Sequence, residues 1–326
     1  MTPLSYFDCR ASYGPRPKLH PHERWSLEHL LEDLDAAGTS RALVTHAQAL
    51  LSDPLAANRR LLREIRSQRL RLVPTWVVYP PAAGEFPSPS ELVRMLRGEF
   101  VRAVRIEPAL FGIPPEAPGW AELAERLAGE GVLVCASWSG LGGAFEMARR
   151  YLAHFLYNET LLLDLNWAQW RTAHYLMAAF PKLRLDLSSF QANRAVEDFC
   201  VKYGATRLCY GSGLPHKAAG AARAFIDLAR LSRPELELLA GRNLANLLGQ
   251  PLAPVPPVPA DPLVRAVTLG RPLPTPVYDA HCHVLPDGVT TGGQTYVMPW
   301  GDADGVLALA TSLGIRRTAV MSWEGP

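Results

Sequence analysis

At 326 residues, with 48% hydrophobic and 20% charged side chains, the chain is long enough to bury one large domain and leave a remainder. Thirty-three Lys and Arg against 31 Asp and Glu leave a net charge of +2, which gives no electrostatic basis for nucleic acid or an anionic membrane as the main partner. Five scattered cysteines without a C-x-x-C pair argue against a disulfide framework or a zinc ribbon. With no apolar leader and no run able to cross a bilayer, a cytoplasmic protein is expected.

Strand-like and helix-like segments alternate from the start. A strand is expected from Leu4, then a helix from Ser26, a good N-cap, to Gly38, a good stop. Leu27, Leu30, Leu31, Leu34 and Ala37 form its buried stripe. Further strands are expected at 42–45, 70–78, 103–106, 132–136, 161–165, 183–187 and 207–210. The helical patterns between them cover 55–67, 88–96, 120–128, 144–155, 169–180 and 194–203, and two more follow at 218–230 and 234–248. Eight strand–helix units in about 250 residues predict an α/β fold, a closed (β/α)8 TIM barrel spanning residues 1–250. A doubly wound open sheet is the runner-up, disfavoured because no glycine-rich phosphate loop follows the first strand. Gly140 to Gly143 read as a plain loop, the arginines of 59–66 as the solvated face of a helix, and His20, His22 and His29 as surface histidines.

After Gly249 the texture changes. Nine of the 29 prolines crowd between 250 and 276 around one apolar segment, 263–269, so residues 251–276 are expected to be a semi-rigid, extended linker. From 277 to 326 the order of the N-terminus restarts: a strand at 277–284, a helix at 302–313 and a strand at 317–321. This reads as the truncated start of a second barrel, and the chain as the front part of a longer tandem protein. Two strands and a helix cannot bury their own apolar faces, so docking between barrels or between copies is expected.

In Val277-Tyr278-Asp279-Ala280-His281-Cys282-His283, alternation along a strand sends His281 and His283 to one face, where two imidazole lone pairs can begin a divalent-metal site. Tyr6-Phe7-Asp8-Cys9-Arg10-Ala11-Ser12 matches this stretch with Asp8 under Asp279, but Arg10 and Ser12 replace the histidines. A guanidinium has no lone pair to give and repels a cation, so no metal is expected in the first barrel.

The phrases Asp279-Ala280-His281-Cys282-His283, Tyr210-Gly211-Ser212-Gly213-Leu214-Pro215-His216 and Asn243-Leu244-Ala245-Asn246-Leu247-Leu248-Gly249 resemble the amidohydrolase superfamily, in its branch of metal-dependent hydrolases and aromatic-acid decarboxylases. The resemblance implies a divalent metal, usually zinc, held by the first-strand histidine pair, by histidines ending strands five and six, and by an aspartate ending strand eight. In the first barrel those places fall to Arg10 and Ser12, to Ala136 or Ser137, to Asn166 and to Gly213. The expected protein is therefore a metal-dependent hydrolase or decarboxylase of a small carboxylate- or amide-bearing molecule. Its metal ligands would be His281 and His283 in the second barrel, with the complete first barrel inactive; the alternative is a catalytically inactive pseudoenzyme barrel acting as a ligand-binding or scaffold/docking module. The pocket of the first barrel is expected to be lined by Arg10, Ser12, His46, Arg105, Glu107, Trp138, Asn166, Trp167, Ser188 and His216. Arg10 and Arg105 could receive a carboxylate there. Alternatively, Arg105 and Glu107 neutralise each other and His216 only caps a loop.

Overall fold

The computed structural model describes residues 3–17, 23–190, 192, 194–255, 257, 260–269, 271–284 and 301–322. His20 and His22 therefore lie outside the described residues; His29 is partly buried near the start of the first helix.

Eight parallel strands form one sheet in sequence order, each followed by helix. They are β1 (Tyr6–Tyr13), β2 (Thr39–His46), β3 (Leu72–Val77), β4 (Ala103–Ile106), β5 (Leu133–Ser137), β6 (Thr160–Leu163), β7 (Leu183–Asp186) and β8 (Leu208–Cys209). The helices are α1 (Leu27–Ala36), α2 (Pro54–Glu64), α3 (Pro89–Gly98), α4 (Trp120–Gly129), α5 (Phe145–His154), α6 (Trp170–Ala179), α7 (Ala195–Tyr203) and α8 (Ala219–Asp227). The predicted barrel is present, and backbone bonds close it. Cys9 N donates to Tyr210 O (2.8 Å), Gly213 N to Arg10 O (3.0 Å) and Ser12 N to Leu214 O (3.0 Å), tying β1 to the chain just beyond β8.

The helix starts follow from their caps. Ser26 Oγ accepts from His29 N at the head of α1, and Ser88 with Glu91 forms a capping box in front of Pro89. Strands buried on both sides explain the short apolar runs in the sequence: one face meets the helix ring and the other fills the barrel. That filling is Phe7, Cys9, Leu43, Val73, Leu133, Cys135, Leu161 and Cys209, closed from below by Leu244 and Leu248. The last two come from α10 (Asn243–Leu248), which follows α9 (Arg233–Glu237) through a widened turn at Leu238–Arg242.

The linker is not extended throughout. Its apolar segment forms α11 (Pro262–Thr268), because Asp261 Oδ1 accepts from both Leu263 N and Val264 N (2.9 Å each) and Pro262 supplies a pre-set first turn. Beyond it, β9 (Val277–Val284) and β10 (Ile315–Ser322) pair in parallel and α12 (Ala303–Leu313) joins that unit.

The two strand pairs share a register. Tyr6, Phe7, Asp8, Ala11, Ser12 and Tyr13 face Thr39, Arg41, Ala42, Val44, Thr45 and His46. At the matching places, Val277, Tyr278, Asp279, Cys282, His283 and Val284 face Ile315, Arg317, Thr318, Val320, Met321 and Ser322. Both pairs break register at the same two points, and in both an aspartate Oδ1 accepts the backbone N–H two residues on: Asp8 from Arg10 (2.8 Å), Asp279 from His281 (3.0 Å). The small sheet is open, consistent with the start of a barrel, and leaves Tyr278, Leu307, Val320 and Met321 exposed.

Candidate functional site

The carboxyl ends of the eight strands converge on a mouth whose centre is an ion-pair network. Arg10 leaves β1 with Nη1 2.9 Å from Asp164 Oδ1 and 3.6 Å from Asp186 Oδ2, and it donates to Ser188 Oγ (2.7 Å) and Ser189 Oγ (3.1 Å). Burial alone would lower the pKa of this guanidinium, but Asp186 and Asp164 outweigh it and the net shift is upward. Asp186, at the end of β7, is fully buried; it accepts from Ser188 N (2.8 Å), Ser188 Oγ (2.5 Å) and the Cys9 thiol (3.7 Å). The room for it comes from Gly211, where a Cβ would stand 2.0 Å from Asp186 Oδ1. Lys217 adds a bond to Ser189 Oγ (2.7 Å).

Beneath this network, Asp8 joins β1 to Ser212, in the chain just beyond β8. Its carboxylate accepts from Arg10 N and Ser212 N (2.8 Å each) and from Ser212 Oγ, and burial raises its pKa to about 6 against the lowering effect of those bonds. The interior thiols are inert for the same reason: desolvation pushes Cys135 and Cys209 up to about 12, out of reach of thiolate chemistry at neutral pH.

The other expected pocket residues divide into separate groups. Arg105 pairs with Glu107, whose second oxygen accepts from Ser137 Oγ (2.6 Å); Gly140 lies so close that a Cβ there would overlap Glu107. Ser12 Oγ donates to Leu214 O (3.3 Å) and accepts from Arg16, whose other nitrogen meets His216 Nδ1 at 2.7 Å. Partial desolvation, then Arg16 and Arg10, lower the pKa of His216, so it takes that bond as a neutral acceptor. His46 is buried edge-on against Tyr13 (5.2 Å), with Nε2 3.7 Å from Glu64 of α2, so it belongs to the helix layer. Trp138 packs on the core, and Trp167 is partly exposed at the rim.

Asn166 is not at the end of the sixth strand. That strand stops at Leu163, Asp164 follows in the left-handed region (φ 69°), and Asn166 caps the next turn by accepting from Ala168 N (2.8 Å). The residues that complete the network, Asp164, Asp186, Ser189 and Lys217, were missed from sequence. The signal was there in Leu163-Asp164-Leu165 and Leu185-Asp186-Leu187, the same phrase closing two consecutive strands.

Between Arg10 and Arg105, with Thr45, Thr75, Cys9 and Cys135, a void of about 10 Å³ remains. That is room for a single water and not for an ion with its substrate. At this mouth positive charge is supplied by Arg10 and Arg105, each already paired with a carboxylate.

On β9 the geometry is different. His281 and His283 bring their Nε2 atoms to 3.1 Å of each other, with the rings 72° apart. Two nitrogens bound to one tetrahedral ion at the usual zinc–nitrogen length lie about 3.3 Å apart, close to the 3.1 Å at which one ring nitrogen here hydrogen-bonds the other. The pair fits as half of a ligand set. Among the described residues no group of three or more His, Cys, Asp or Glu could hold a metal ion.

No family model and no curated protein matches the sequence. Solved structures do match. 2,6-Dihydroxybenzoate decarboxylase from Rhizobium aligns over 76% of this chain and 99% of its own at 12% identity, with a TM-score of 0.59. 5-Carboxyvanillate decarboxylase from Novosphingobium aromaticivorans, solved with bound manganese and 3-methoxy-4-hydroxy-5-nitrobenzoic acid, aligns over 76% and 97% at 14% identity, TM-score 0.59. An uncharacterised TIM-barrel protein of Bordetella bronchiseptica aligns over 76% and 99% at 15% identity, TM-score 0.58. The chain shares the fold of these barrels. Because the matched 76% accounts for nearly the whole of each partner, a single barrel supplies the likeness.

Proposed function

We propose that the chain belongs to a metal-dependent hydrolase or decarboxylase of the amidohydrolase kind, acting on a small carboxylate- or amide-bearing molecule. The working centre is that of a second barrel begun by β9, and the complete first barrel is a catalytically silent module. One observation carries this reading: two strand pairs of equal register present different groups at equal positions, His281 and His283 on β9 against Arg10 and Ser12 on β1. His281 and His283 would hold one side of a zinc or manganese ion, and the remaining ligands would come from strands that follow in sequence. When bound, such an ion supplies Lewis acidity toward a carbonyl or carboxylate oxygen. Asp279 fixes the backbone of His281 through its 3.0 Å hydrogen bond, as Asp8 fixes that of Arg10. In the first barrel, Arg10 and Arg105 are already engaged by Asp164, Asp186 and Glu107, which supports a structural use of that mouth over capture of a carboxylate ligand.

The test is the metal content of the purified gene product. The wild type should hold zinc or manganese, and His281→Ala and His283→Ala should each lose most of it. Metal retained at the wild-type level in the double variant would overturn the assignment.

A further inference from the structure

The helix that closes the first barrel has two apolar faces. On α8 the inward stripe is Ala219, Ala222 and Ile226, all buried against the barrel. Ala221, Ala224, Phe225 and Leu228 form a second stripe at helical spacing on the other side, and they line an outer groove of about 570 Å³. The only charged side chains of α8, Arg223 and Asp227, pair with each other at 2.9 Å and are almost fully buried, so they put no charge on that outer stripe. Ala221 and Leu228 of this second stripe are exposed and Ala224 and Phe225 half-buried, so an apolar surface stays open beside the barrel.

The far wall of the same groove is α12, through Gly305, Ala308 and Leu309. Their identities are informative because α12 corresponds to α1 position by position. Ser26 and Asp302 cap the N–H three residues on, and Gly38 and Gly314 stop the helices at φ 63° and 71°. In that alignment Gly305, Ala308 and Leu309 take the places of His29, Glu32 and Asp33. On α1 this face is solvated, and Arg24 binds both Glu32 (2.6 Å) and Asp33 (2.9 Å). On α12 the charges are gone, and the residues that replace them line the groove opposite α8 while remaining partly or largely exposed. The linker continues the same surface: α11 packs against α8, and its Ala266 is buried.

We infer that the outer stripe of α8 is the seat of the second unit, occupied by the uncharged face of α12 of the same chain, so that the first barrel carries the second at a fixed interface. This rests on the reading of β9 to β10 as a repeated unit but not on its metal chemistry. Loss of metal from the histidine variants and loss of docking are therefore separate readouts.

The test uses the whole chain with Cys282→Ser to remove the one thiol that is not buried. Ala224→Cys with Ala308→Cys should be joined within one molecule by a short bis-maleimide. Joining only between molecules would assign the groove to a second copy and overturn the inference. In a second arm, Ala308→Glu with Leu309→Asp restores the charges of α1; amide exchange over residues 219–227 and the linker should then rise tenfold or more, while the barrel strands keep their protection. Unchanged exchange in that variant would equally overturn it.

Discussion

Asp8→Asn tests how the barrel is closed. Asp8 is fully buried, and its pKa is raised from 3.8 to about 6, chiefly by desolvation. A carboxyl whose folded pKa exceeds its unfolded value stabilises the fold below the unfolded pKa, and that contribution is lost as pH rises through the folded one. A rise of this size corresponds to about 3 kcal/mol, lost between roughly pH 4 and pH 7. An asparagine can keep the connections. Its oxygen still accepts from Arg10 N and Ser212 N, and its amide donates to Ser212 Oγ, whose own proton can turn to Arg10 O at 3.4 Å. Urea unfolding followed by tryptophan fluorescence, for both proteins from about pH 4.5 to about pH 7.5, isolates this group because every other titration cancels in the difference. The advantage of Asp8→Asn should grow with pH toward about 3 kcal/mol. A difference that is flat, or that shrinks as pH rises, would refute the account of Asp8 as a desolvated carboxyl.

Arg10→Met should cost about 3–5 kcal/mol in the same urea assay, because it leaves the buried Asp186 without its cation. Adding Asp186→Asn should return more than half of that, and a strictly additive double variant would contradict the coupling. Gly211→Ala should destabilise by about 1–3 kcal/mol, since its methyl group would meet Asp186 Oδ1 at 2.0 Å and Cys9 Sγ at 3.2 Å. Gly220→Ala, in α8 with nothing within 4 Å, should instead stabilise by about 0.5–1 kcal/mol, so thermal shifts of opposite sign are expected from the two glycines.

The barrel was readable because its signals are local. Strands buried on both faces appear as short apolar runs, and Ser26, Ser88-Pro89, Gly38 and Gly249 punctuate the helices between them. The two aspartates at strand ends could be read from the repeated Leu-Asp-Leu phrase, but not that Arg10 meets them, because that depends on which strand ends face each other across the mouth: Asp164 and Asp186 come from strands six and seven, Lys217 from beyond strand eight. Asn166 was placed at a strand end because the apolar run continues through Leu165, whereas the left-handed turn at Asp164 ends the strand earlier. The linker helix was obscured by proline content, although Asp261-Pro262 before an apolar segment is itself a helix start. The histidine pair was legible as a motif; the 3.1 Å approach of its two Nε2 atoms was not.

The cation at the mouth of the first barrel is part of the polypeptide. A guanidinium cannot be chelated, exchanged for a competing ion or lost to scarcity, so the ion pairs that Arg10 makes with Asp164 and Asp186 form whatever the cell's metal supply. If the function proposed above holds, a sensitivity to metal starvation or chelators would be expected of the histidine-bearing part.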